Sequence, residues 1–308
     1  MRTRSVVSAG VVYLALAAMY PTSTVMGQPI DRSTIDEVAT KLAASGPRIS
    51  ALAPADRQRL VEFMLGNTLF TLSHELGHAV ISLFDLPMLG PEEDAADTFA
   101  TLALLHVGNN LTQNVVVDAA RGLMRLAERD ASLGQPPVFF DEHRLDQQRA
   151  YQIVCLMVGS NPQRFRELSE RAKLTAEQQE TCVDVHAQAQ TAWSRVLRPH
   201  LRGTTDDRSF LRRFMRQPLP SEGREWVEIR YSEAPAALAP YRDALVQVRA
   251  LERVRDLLVD NFTVPKRVTI EAKSCGEPNA YWAPDDRRLE LCYELAVDFA
   301  ELGLRTGP

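Results

Sequence analysis

From Ala55 to Leu86 runs the most strongly apolar helical pattern of the chain, with Leu60, Phe63, Met64 and Leu69 recurring at helical spacing. Pro87, Gly90 and Pro91 break it, and Pro91 suits the first position of a following helix over about Glu92 to His106. Inside the apolar helix stands His74-Glu75-Leu76-Gly77-His78. Positions four apart are about one helical turn apart, so the two imidazoles project from one face and can share a single ion. Zinc suits imidazole and carboxylate ligands, and a catalytic zinc keeps a fourth position for water. Glu75 is then placed to take the proton from that water.

The next helix opens with Glu92-Glu93-Asp94-Ala95-Ala96-Asp97, in which Glu93 and Asp97 are again four apart on one face. Acids favour a helix N-terminus because they complement its dipole. That accounts for Glu92, but less well for an Asp97 followed by apolar residues. Glu93 is the candidate third ligand and Glu92 its rival. A further constellation lies at Asp141 to Arg149, where His143 is followed six positions later by Arg149 at the head of an apolar helix. Taken alone, that pair is equally compatible with a capping neighbour and a solvated arginine.

Other helices are predicted over Ile35–Ala43, Leu111–Arg129, Leu145–Val158, Pro162–Arg171, Ala176–Val196 and, as one long amphipathic element, Pro240–Asn261. Strand patterns occur at Trp226–Tyr231, Val268–Ala272 and Arg288–Tyr293, with the turn-rich CGEPNAYWAPDD between the last two and a final helix over Glu294–Leu304. The pattern predicts a mostly helical α+β chain whose small sheet comes largely from the C-terminal segment. The organisation expected is a leader over 1–27 and one domain over 28–308. Within it, 28–198 carries the metal site, 199–222 is a polar connection and 223–308 is a strand and helix part packed on the same domain.

The leader follows from Arg2 and Arg4 ahead of an apolar run from Val6 to Tyr20, with cleavage expected after Gly27. That run is shorter than the roughly 20 apolar residues that span a bilayer, and no other segment is apolar enough. Export to the periplasm or beyond is therefore expected, with an uncleaved anchor as the alternative. The cysteines are Cys155, Cys182, Cys275 and Cys292, and an even count in an exported chain suggests disulfides. Three connectivities are open, and sequential pairing closes the shortest loops. A formal charge of −5 gives no electrostatic footprint for nucleic acid. His106, His186 and His200 lack a spacing partner and read as structural or surface residues. Trp193, Trp226 and Trp282 read as packing anchors, although Trp282 adjoins the PNAY segment.

The order HELGH, EEDAAD, HRLDQQR resembles the HExxH, ExxAD, HPxxxxR series of the CaaX-prenyl-protease and heat-shock-protease group of gluzincins, with Arg144 where that group has a proline. The resemblance implies zinc held by His74, His78 and Glu93, with Asp97 hydrogen-bonded to a ligand histidine and fixing its tautomer. It further implies His143 as stabiliser of the oxyanion and Arg149 as an orienter of carboxylates or substrate. Pro278-Asn279-Ala280-Tyr281, followed by a strand and a helix, is similar to an element that precedes HExxH in that group. Here it follows the other motifs, as in a circular permutation. Asn279, Ala280 and Tyr281 are accordingly expected on an edge strand that binds extended substrate, the alternative being a disulfide-pinned hairpin with a structural role. The whole chain also resembles a bacterial metallopeptidase family, through HELGHAVI, LPMLGPEEDAAD, DEHRLDQQRAYQIVCL and CGEPNAYWAPDDRRLELCYEL. A gluzincin-like zincin fold acting on peptide or protein is what these likenesses imply. The rival readings are a non-catalytic exported binding or structural protein on the same scaffold, and a zinc hydrolase with a non-peptide substrate.

Overall fold

The computed structural model describes residues 30–137, 143–202 and 223–306. The expected leader and most of the 199–222 connection lie outside the described residues. Helices α1 (Arg32–Ser45), α2 (Pro47–Ser50), α3 (Pro54–Phe84), α4 (Glu92–Val107), α5 (Asn110–Ser132), α6 (Asp146–Ser160), α7 (Arg166–Arg171) and α8 (Ala176–Leu197) precede strand β1 (Val227–Tyr231). Then come α9 (Ala239–Gln247), α10 (Ala250–Val259), β2 (Val268–Lys273), β3 (Ala280–Ala283), β4 (Arg288–Cys292) and α11 (Tyr293–Thr306). The protein is mostly helical α+β with one small mixed sheet. Among the described residues no helix is long and apolar enough to cross a membrane.

At 1.5 Å per residue α3 is about 46 Å long. Leu60, Met64, Leu65, Leu69, Leu72 and Leu76 along it are all fully buried or nearly so. A helix apolar around its circumference must be enclosed, and α1, α4, α5, α10 and α11 pack around this one, with β3 against it as well. The neighbours begin where local chemistry starts them. The Asn109 side chain accepts from Thr112 N at the head of α5, and Thr175 with Gln178 forms a reciprocal capping box at the head of α8.

The sheet order is β1-β2-β4-β3, with β1–β2 and β2–β4 parallel and β3–β4 antiparallel. Val268, Ile270, Ala272, Leu289 and Leu291 share its buried face, while Glu271, Lys273, Arg288 and Glu290 point to the other face and pair with one another. Two disulfides join Cys155 to Cys182, linking α6 to α8, and Cys275 to Cys292, pinning the turn ahead of β3 to the end of β4. This is the sequential pairing. Bonds of this kind persist in oxidising compartments.

Two sequence expectations need correction. The single helix expected over Pro240–Asn261 is broken at Val248 and Arg249, and Arg249 adopts a left-handed conformation (φ 56°). Neither Gly nor Pro marks the break; tertiary partners satisfy it. Arg253 Nε donates to Val248 O (2.8 Å), and Leu251 N donates to the Tyr231 hydroxyl (3.0 Å), so the backbone groups orphaned at the break are paired. The helix expected from Pro162 begins only at Arg166, because the Asn161 side chain accepts from Arg164 N (3.0 Å) and holds a turn there.

Asp118 on α5 is buried against Gly66 of α3. Burial, opposed by Arg121 and aided by Glu62, pushes its carboxyl from the ordinary 3.8 up to about 6. An acid whose pKa is higher in the folded state binds its proton more tightly there. Its stability contribution is therefore complete below about 3.8 and lost as pH rises through about 6. Asp118→Asn is expected to raise the unfolding free energy by up to about 3 kcal/mol at about pH 8 and by little at about pH 4. Urea unfolding at the two pH values measures this; equal gains at both would contradict it.

Candidate metal centre

His74 and His78 project from the same face of α3, and the first turn of α4 crosses them. The crossing is close because residue 77 is glycine. A Cβ there would lie 2.9 Å from Ala96 Cα and 3.2 Å from Ala96 O, atoms of the α4 backbone that cannot give way as a side-chain tip can. Ala96 lies one turn after Glu93, so the approach brings the Glu93 carboxylate onto both rings.

His74 Nε2 and His78 Nε2 are 3.1 Å apart. Glu93 Oε2 is 3.1 Å from the first and Glu93 Oε1 is 3.3 Å from the second. Ligands placed tetrahedrally at the usual zinc distances are separated by about 3.3–3.4 Å, so the two ring nitrogens stand near the spacing of two corners of such a site, and the carboxylate faces each ring with one of its oxygens. His74, His78 and Glu93 are also the group among the described residues whose ligand atoms could hold a metal ion. Glu93 Oε2 is buried and makes no hydrogen bond of acceptable geometry among the described residues, although ring nitrogens stand 2.6 and 3.1 Å away. A carboxylate oxygen orphaned beside imidazole nitrogens fits a cation between them.

Each ring is held from behind. His74 Nδ1 lies 2.8 Å from Asp97 Oδ1, and Arg149 grips Asp97 with Nε (2.8 Å) and Nη2 (3.0 Å). His78 Nδ1 lies 2.8 Å from Glu92 Oε1. Nδ1–H donation to these carboxylates leaves each Nε2 lone pair facing the centre. Burial opposes ionisation of Asp97, but His74 and Arg149 draw its carboxyl down to about 2. Burial likewise opposes ionisation of Glu93, and His143, His74 and His78 hold it far below the usual carboxylate range. The same acids favour a proton on the rings: against burial, Asp97 and Glu93 carry His74 up to about 9. A metal and a proton therefore compete for this centre.

Glu75 is 7% exposed and is not part of the ligand cluster. Burial pushes its carboxyl up against the pull of His74 and His78, and the main-chain N–H of Trp282 draws it down as well. That N–H comes from β3, the edge strand. Cys292 N donates to Asn279 O (2.9 Å), so the hydrogen-bonded pairs are 279 with 292, 281 with 290 and 283 with 288. Tyr281 thus spends its main-chain groups on Glu290, and its hydroxyl reaches the Glu290 carboxylate on the far face. Ala280 and Trp282 turn their main-chain groups to the open edge, where Asn279 Oδ1 already accepts from Ala280 N (2.8 Å). Tyr281 lies on the edge strand as expected, with its main-chain groups turned inward to β4. The strand register turns the main-chain groups of Trp282 outward.

His143 Nε2 is 2.6 Å from Glu93 Oε2, its ring stacked at 6.0 Å from that of His74. Arg144, standing where the resembling group has proline, reaches Asp94 (2.6 Å) and fastens this segment to α4. Arg149 contacts Asp97 and Asp146. The parts that sequence reasoning did not find are the Glu92 contact to His78 and the Trp282 N–H. Glu92 had been considered only as a rival ligand, and no spacing rule relates residue 282 to residue 75.

A family model matches residues 38–197 and 233–306 of the chain. The chain belongs to the DUF4344 family, whose description is "Putative metallopeptidase". The two matched stretches contain every residue of the metal centre, the β3 edge and all four cysteines of this metallopeptidase family member, and they omit β1. No curated protein and no solved structure matches the chain.

Proposed function

We propose that this chain is an exported zinc metallopeptidase of gluzincin type, with the ion held by His74, His78 and Glu93. What carries the reading is two ring nitrogens 3.1 Å apart, each 3.1–3.3 Å from one oxygen of the Glu93 carboxylate, next to a buried, unliganded Glu75. Membership of a family described as "Putative metallopeptidase" supports a peptide bond as the substrate. Bound there, zinc would polarise the scissile carbonyl and make water nucleophilic near neutral pH. Glu75 accepts the proton of the attacking water and returns it to the leaving amine, and its raised affinity for protons suits both halves of that task. Trp282 N–H keeps the carboxylate aimed. Asp97 and Glu92 orient the two ligand rings, and Arg149 fixes Asp97. His143 donates to the oxygen that becomes negative. Ala280 and Trp282 offer main-chain carbonyls to an extended peptide.

The reading includes a zincin-like fold in which the strand element follows HExxH, as after a circular permutation, and one domain running from the N-terminal helices through α11. Contacts of α11 with α3 and of α9 with α1 support that unity. Two disulfides favour the periplasm or the exterior. Purified chain is expected to carry stoichiometric zinc and to cleave a mixed peptide library, with cleavage abolished by a chelator and restored by zinc. Folded chain that takes up no zinc, or cleavage indifferent to chelation, would reject the reading.

A further inference from the structure

We infer that the recess between α3, α5 and α11 receives the side chain next to the scissile bond, so that cleavage occurs beside a single large aliphatic or aromatic residue. This deepens the reading above and rests on it. A cavity of about 200 Å³ is lined by His74, Glu75 and His143 together with the apolar Phe70, Leu123, Leu126, Leu295 and Phe299. Apolar side chains and the proposed reacting groups therefore line one and the same cavity. Phe70 stands one turn before His74 on the same helix, so side chain and reaction centre share a face.

The recess discriminates by charge. Its polar residues are engaged: Asn67 Nδ2 donates to Phe63 O (2.8 Å) and Thr71 Oγ1 to Asn67 O (3.0 Å). Arg149, the cation on its lining, is committed to Asp97 through two hydrogen bonds. A lysine or aspartate side chain of the substrate would lose water and find no partner on the apolar wall, whereas an apolar side chain would gain from burial. The recess also limits size. α5 closes directly on α3 at Gly122, where a Cβ would lie 1.8 Å from Asn67 Oδ1, and Leu123 and Phe299 are 8% and 7% exposed. Pro278, Asn279 and Ala280, at the start of the edge strand, line it as well. A peptide aligned on the β3 edge places alternate side chains toward and away from such a pocket.

The test profiles zinc-loaded chain against peptides varied at the two positions flanking the cut. At one of them, Leu, Met or Phe should exceed Gly, Asp and Lys by roughly ten-fold or more in kcat/KM, the scale on which apolar pockets discriminate. Leu126 is half-buried on the wall, so its variants should fold; zinc content checks this. Leu126→Ala should shift preference toward larger rings, and Leu126→Phe toward smaller side chains. Cleavage with equal kcat/KM for Gly, Asp and Leu at both positions, or a preference that neither variant moves, overturns the pocket and leaves the peptidase reading standing. Failure of zinc-loaded chain to cut any peptide overturns both.

Discussion

A Glu75→Gln chain is expected to bind zinc as the parent does and to cleave peptide about 10²–10⁴-fold more slowly, the usual contribution of a positioned general base. Glu75 lies outside the cluster that would hold the ion, so metal content should not fall. The substitution keeps size and an acceptor for Trp282 N–H, and removes only the ability to take a proton at the position where burial has raised that ability. Elemental analysis and initial rates on one peptide suffice. Turnover within a few-fold of the parent at equal zinc would remove Glu75 from the role of base.

Gly77→Ala is expected to lower zinc affinity about ten- to hundred-fold, the range seen when the support of ligands is disturbed. Two effects compete. Alanine favours a helix interior over glycine by about 1 kcal/mol. Against this, the new methyl would meet Ala96 Cα at 2.9 Å, and overpacking of this kind costs about 1–3 kcal/mol. The obstacle is backbone, so α4 has to retreat as a unit and takes Glu93 with it. Overlap should therefore win. A competition titration reads the affinity and thermal unfolding reads the stability. A more stable chain with undiminished zinc affinity would show that the crossing is not tight.

The helical framework and the ligand cluster were readable because both depend on local periodicity. Apolar residues at turn spacing fix α3, and paired side chains four apart fix His74 with His78 and Glu93 with Asp97. Sequential disulfide pairing followed from loop length. What escaped is set by contacts remote in sequence. Arg249 turns left-handed because Arg253 and Tyr231 satisfy the broken helix ends, which no property of residue 249 announces. Glu92 looks like any acid at a helix start until the fold sets His78 against it. Which residues of β3 turn their main-chain groups outward depends on strand register, which shifts every side chain to the other face when it slips by one.

The centre draws on two widely separated stretches of chain. His74, His78 and Glu93 lie within about twenty residues of one another, whereas Trp282 and the α11 wall follow about two hundred residues later. Because β4 lies between β2 and β3, the strand beside Glu75 cannot pair until β4 has been made. Synthesis runs from the N-terminus, and long-range pairing of this sort comes late. If the proposed function holds, a half-made chain would possess a grip for the ion and nothing to lay a peptide against, and cutting would wait until the final strands have docked.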